Sequence, residues 1–184
     1  MQPCCAVCGE SFGGAADGAF RCSNCEGRRL AFEFATAAYH AKGPLREIIH
    51  RFKYARDVTM RAPLAESLRL ALDEPRLAGE RLEEWLLVPV PLYWTRQIWR
   101  GYNQSWELCR ELSKSTGIPA VRVLRRQRHT GTQARLARSE RLENLRGVFS
   151  LRRLLPMPGR WRPEVRGKNV LLVDDVLTTG ATAH

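Results

Sequence analysis

Residues 169–175, "NVLLVDD", constrain the fold more than any other part of this chain. An apolar run without alternation reads as a strand of the kind that parallel sheets contain. It ends in two adjacent carboxylates, and at least one of these must face solvent or a partner, because burying both unpaired is too costly. Ligands of open α/β sheets collect at the carboxyl ends of strands, where Asp174 and Asp175 fall. The next residues, "VLTTGAT", combine small side chains with hydroxyls. Thr178, Thr179 and Thr182 offer donors, and Gly180 lets the backbone approach an anion that successive N–H groups can wrap. Acidic groups for hydroxyls or a hydrated metal thus stand beside a phosphate cradle, and a ribose 5-phosphate satisfies both. A helix is expected next, its N-terminal end toward the same phosphate. Two plainer readings compete: a buried strand followed by a polar turn, and the acidic strand of an ATPase. The second needs a G-x-x-x-x-G-K-[ST] loop, and "GRWRPEVRGKN" has the wrong spacing, with Asn169 in the hydroxyl place.

The remaining text from residue 84 onward alternates strand-like and helix-like segments, which predicts an α/β domain with a mostly parallel sheet flanked by helices. "WLLVPV" reads as a buried strand, "YNQSWELCRELSKSTG" as a helix ended by Gly117, and "PAVRVLRR", "GVFSL" and "NVLLVD" as further strands. Upstream, "GPLREIIHRFKYARD" places Leu45, Ile48, Ile49 and Phe52 at helical spacing after a Gly-Pro start, and Leu64, Leu68 and Leu72 repeat the pattern. "ATAAYH" predicts a short strand. Residues 127–146 have no apolar period and read as a mobile loop with a helical turn near Glu140.

Residues 1–29 are rich in Cys and Gly and too poor in large aliphatics to build a core, so the division expected is 1–29 and 30–184. Cys5 and Cys8 form one C-x2-C pair, Cys22 and Cys25 another, a spacing that lets four thiolates meet one tetrahedral ion. This is the pattern of a structural zinc ribbon. Disulfides are the alternative, disfavoured in a reducing compartment. Cys4 is a spare neighbour, and Cys109 reads as a small core residue. The histidines form no ligand spacing with one another.

No apolar run approaches the ~18 residues that span a bilayer. The first ten residues have neither a basic nor an apolar leader region, so a cytoplasmic chain without membrane insertion is expected. The net charge of +11 points to anionic partners, and eight arginines crowd residues 122–146. Nucleic acid, a pyrophosphate-bearing small molecule and a solvated surface account for this equally.

Taken together, "VLLVDDVLTTGAT" resembles the phosphoribosyl-pyrophosphate (PRPP) signature of type I phosphoribosyltransferases. The order of the double C-x2-C module, "FKYARD", "VPVPLYWTRQIWRGYNQ" and "TGTQARLARSERLENLRGVF" is similar, more narrowly, to the ComF family of competence-associated proteins, which includes the GntX group. The resemblance implies a phosphoribosyltransferase-like fold in which Asp174 and Asp175 address ribose hydroxyls and, through water, Mg2+. Thr178, Thr179, Gly180, Ala181 and Thr182 would hold the 5-phosphate. "VPVPL" would be the pyrophosphate loop, with Arg96 and Arg100 as cations for the leaving diphosphate and Arg100 favoured. Residues 128–146 would close over PRPP, with Gln133, Arg141 and Asn144 at matching positions. Such a site displaces diphosphate at the anomeric carbon and needs no side-chain nucleophile. The zinc module is the candidate hood over an acceptor base. The family continues past its signature with a helix and a strand, so the stop at His184 reads as a truncation, leaving Leu171 or Val173 exposed. A rival reading is a non-catalytic module that senses a nucleotide or handles single-stranded DNA beside other competence proteins. Trp94, Trp99 and Tyr102, interleaved with arginines, could stack on bases; core packing is the plainer use of these aromatics.

Overall fold

The computed structural model describes residues 4–11, 20–23, 25–27, 30–128, 147–152 and 165–177. These fall into two compact units: the cysteine segment up to Ala37 together with Val176 and Leu177, and the stretch from Ala38 to Asp175. The chain is mixed helix and strand. Its larger unit contains α1 (Gly43–Tyr54), α2 (Arg61–Arg69), β1 (Leu86–Pro89), α3 (Trp94–Arg100), α4 (Gln104–Thr116), β2 (Leu124–Arg126), β3 (Phe149–Leu151) and β4 (Val170–Val173).

β1 and β4 lie parallel, in register from Leu86 opposite Val170 to Pro89 opposite Val173. Every residue of β1 is buried, as a strand covered on both faces must be. Ala120 bridges the other edge of β1 through Leu87. Leu86, Val88, Val121 and Val123 form one apolar cluster beside this pair. The expected parallel pairing is seen in β1 with β4 and in the parallel bridge to Ala120, while β2 and β3 form a separate antiparallel pair. The expected strand over 119–126 is reduced to a single bridge at Ala120 and the ladder of β2.

α4 begins at Gln104, two residues inside the expected helical segment. Asn103 caps it by accepting a hydrogen bond from the Trp106 N–H at 3.3 Å, and Gly117 ends it in the left-handed conformation that a side chain resists. Ser105, Leu108, Cys109 and Leu112, at helical spacing, are buried. Burial pushes the Cys109 thiol up, so it stays protonated and inert in the core. Arg61 of α2 pairs with Glu107 at 3.4 Å and Glu111 at 3.0 Å, pinning α2 to α4. α1 starts at Gly43 as expected and buries Ile49 and Phe52. α2 stops at Arg69, and Leu72 belongs to a short 3-10 turn that follows it.

Three further expectations are corrected. "ATAAYH" forms no strand. On β4, Val170 and Leu172 are the exposed residues, while Val173 is buried, the reverse of the expected face. Trp94 and Trp99 do not pack in the core: they are 61% and 58% exposed. The stretch over 129–146, including the helical turn near Glu140, lies outside the described residues. No helix among the described residues is long and apolar enough to cross a membrane.

Candidate functional site

Two groups of chemically active side chains emerge, one in each unit. In the smaller unit, the sulfurs of Cys5, Cys8, Cys22 and Cys25 all lie within 4.8 Å of one another. None is in a disulfide, and Cys8 Sγ to Cys22 Sγ is 3.7 Å, far from the roughly 2.05 Å of an S–S bond. That separation matches the edge of a tetrahedron with metal–sulfur bonds of about 2.3 Å. The Cys22 N–H points at Cys5 Sγ at 3.3 Å. Burial pushes the Cys5 thiol up, but hydrogen bonds from the backbones of Cys22, Cys8 and Val7 outweigh it and hold the group at about 6. Burial and then the neighbouring cysteines push Cys25 up. Four thiolates this close cannot all ionise without a cation among them. The set therefore fits a metal ion such as zinc, held by all four cysteines. Gly9, with φ +70°, allows the turn after Cys8; a Cβ there would sit 2.9 Å from the Ala35 carbonyl oxygen.

In the larger unit, the carboxyl ends of β1 and β4 lie side by side, joined by the Val90 N–H donating to the Val173 carbonyl at 3.0 Å. Asp174 and Asp175 follow directly. The start of α4 is fastened to the same edge, since Asn103 Nδ2 donates to the Val90 carbonyl at 3.0 Å. Ser105 Oγ donates to Asp174 Oδ1 at 3.0 Å, and the Asp175 N–H donates to the same oxygen at 2.9 Å. Among the described residues, both of these bonds fall on the one oxygen, Oδ1. Burial, and next the charge of Asp175, push the Asp174 carboxyl up to about 7; the Asp175 N–H, Ser105 and Lys53 oppose the rise. Asp175 is itself paired with Lys53 of α1, Nζ to Oδ1 2.8 Å.

The two arginines proposed from sequence separate here. Arg100 donates to Gln104 Oε1 at 3.0 Å and lies over the Tyr54 ring, 5.2 Å from its centroid. Its Nε and the Nε2 of Gln104 are buried without a hydrogen-bond partner. Arg96 shares an electrostatic neighbourhood with Arg126, which also feels Asp174; burial and then Arg96 press the Arg126 guanidinium down. Tyr102 is packed against Phe52, ring centroids 5.4 Å apart, and its hydroxyl donates to the Phe52 carbonyl. Thr178, Thr179, Gly180, Ala181 and Thr182 lie outside the described residues, as do Gln133, Arg141 and Asn144. Sequence reasoning missed Lys53, Ser105 and Arg126. The first two lay inside quoted segments, "FKYARD" and the "NQSWEL" helix start, without any local signal that they reach the acid pair.

Competence protein F of Haemophilus influenzae is 34% identical to this chain over 164 residues, covering 89% of this chain and 69% of that protein. The chain belongs to the competence protein F (ComF) family. The DNA utilization protein YhgH of Escherichia coli is 37% identical over 142 residues, 76% of this chain and 57% of its own length. Competence protein ComFC of Bacillus subtilis is 25% identical over 148 residues, 80% of this chain and 54% of that one. This ComF-family chain therefore spans little more than half the length of the last two relatives. No family model matches it, and no solved structure matches it.

Proposed function

We propose that this ComF-family chain binds PRPP with Mg2+ at the joined carboxyl ends of β1 and β4, as a phosphoribosyltransferase-like protein serving the handling of DNA. The observation that carries the reading is the acid pair. Asp174, raised in pKa by burial, stands at a sheet edge, and among the described residues both hydrogen bonds it accepts fall on Oδ1. Ribose hydroxyls donate naturally to such a group, and a hydrated Mg2+ would be held by the same carboxylates. When bound, Mg2+ supplies neutralisation of the diphosphate charge. The chain's own residues do the rest: Thr178–Thr182 hold the 5-phosphate, and Arg96 and Arg126 place positive charge beside the acid pair for the diphosphate. Arg100 fixes the turn into α4 through Gln104, so that its part in holding diphosphate is indirect. The resemblance gives Gln133, Arg141 and Asn144 a part in keeping water from the anomeric carbon. In this reading Cys5, Cys8, Cys22 and Cys25 hold Zn2+, and residues 1–29 form a module distinct from the sugar-phosphate domain over 30–184.

A second reading concerns single-stranded DNA, favoured by a surface the sequence had placed in the core. Trp94, Ile98 and Trp99 of α3 are 61%, 71% and 58% exposed, and Tyr54 at the end of α1 meets Trp99 edge-on at 6.1 Å. Arg100 stacks on Tyr54, and Arg56 donates to the Trp99 carbonyl. Flat rings interleaved with guanidinium groups suit unstacked bases and their phosphates. The names of the relatives, competence protein F and DNA utilization protein, agree with such a partner. A fluorescent oligonucleotide is expected to bind with an affinity that falls steeply between low and moderate salt. Trp99→Ala should weaken it by about tenfold, the worth of one stacked base. An oligonucleotide that binds Trp99→Ala as tightly as the natural chain would end this reading without touching the PRPP site.

A further inference from the structure

The Lys53–Asp175 ion pair stands apart from the others. Lys53 is only 20% exposed and Asp175 11%, whereas Arg61, which pairs with Glu107 and Glu111, is 35% exposed. Pulling an ammonium out of water is costly, and an apolar pair of the same size would serve packing equally well. The pair also sits where a cost in packing has a chemical use. Lys53 lies in the last turn of α1, whose negative end favours a cation. Among the described residues, the charged groups acting on Asp174 are Asp175 beside it, Lys53 from α1 and Arg126 from β2; Ser105 from α4 faces it as a neutral donor.

We propose that Lys53 is the positioning residue of the acid pair. It holds the Asp175 carboxylate toward α1 and offsets its charge, so that the two carboxylates together confront the ligand with less negative charge and the cleft admits a polyphosphate. This rests on the reading of the edge as a PRPP site. Without Lys53, two carboxylates would confront a strongly anionic ligand side by side. Lys53 needs no contact with PRPP for this role.

Two measurements on the same chains test it. Urea unfolding of Lys53→Met, Asp175→Asn and the double variant is expected to show strong coupling: Lys53→Met loses more stability than the double, because it alone leaves a buried carboxylate unpaired. Calorimetry with PRPP and Mg2+ is expected to show about 30-fold weaker binding in Lys53→Met, while Lys53→Arg stays within about threefold of the natural chain. If Lys53→Met does not fold, Lys53→Gln, which can still donate to Asp175 but carries no charge, is titrated in its place. Additive unfolding energies, or an unchanged PRPP affinity in the charge-removed variant, overturn the assignment. A natural chain that shows the coupling but binds no PRPP would overturn the PRPP reading and the ligand role of Lys53 with it, leaving only the ion pair.

Discussion

Replacing Cys22 with serine is expected to strip the metal ion from the chain and unfold its first thirty residues. The segment has little else to hold it. Its buried apolar cluster is Cys5, Cys8 and Cys25, with Val7, Phe20, Cys22 and Leu30 packed around them, far short of an independent core. Among its described residues the backbone ties are short-range for the most part: Cys5 N–H to Glu10, Ala6 N–H to Phe20, Gly9 N–H to Cys5, Cys25 and Glu26 N–H to Cys22, and Ala35 N–H to Val7. In sites of this kind metal binding and folding are one free energy, about 10–16 kcal/mol for small zinc modules, so losing one of four thiolates removes most of the stability. Metal analysis should find one zinc per natural chain and none in Cys22→Ser. Circular dichroism of the variant should retain most of the helical signal, because α1, α2, α3 and α4 belong to the other unit. Full retention of zinc, or collapse of the whole helical signal, would contradict the description of the cysteine segment as a separately stapled module.

The second large effect concerns Asp174. Its folded-state pKa of about 7 lies above that of an unfolded aspartate, because burial and then Asp175 disfavour the charge. The folded chain therefore binds this proton more tightly than the unfolded chain. The contribution to stability is fully present below about pH 4 and is lost as the pH rises through about 7. Asparagine keeps the oxygen that accepts from Ser105 and the Asp175 N–H, yet never ionises. Asp174→Asn is thus expected to match the natural chain near pH 4 and to exceed it at pH 8 by roughly 2–4 kcal/mol, allowing for partial exposure. Thermal unfolding at the two pH values reads this as a gain of about 5–15 °C confined to the alkaline side. A variant less stable than the natural chain at pH 8 would show that the carboxylate is a structural asset and not a strained functional group. Stability gained by deleting a carboxylate is the signature expected where a binding site is held at the expense of the fold.

Much of this was legible in the sequence, and the divisions are physical. β1 and β4 were plain because an apolar run closed by proline or aspartate has few other uses. α4 was plain because Asn103 and Gly117 mark both its ends. α3 was missed, and Trp94 and Trp99, for which core packing was the plainer use, face solvent instead. The stretch over 119–126 misled because its valines are buried beside β1 without forming a continuous ladder; Val121 and Val123 pack while only Leu124–Arg126 pair. The cysteine set could be read whole because its spacing is local. The acid pair could be read, but its partners could not, since Ser105 lies 69 residues from Asp174 and Lys53 still farther from Asp175. The parallel pairing of β1 with β4, the fastening of α4 to its edge and the reach of Lys53 from α1 to Asp175 bring them together.

The central claim is that this sheet edge holds PRPP with Mg2+. Calorimetric titration of the natural chain with PRPP in the presence of Mg2+, alongside an Asp174→Asn, Asp175→Asn chain, tests it most directly. The account predicts saturable binding of one PRPP per chain that falls at least a hundredfold, roughly 2.7 kcal/mol, when both carboxylates become amides. Equal binding by the two chains, or none by the natural one, would contradict it.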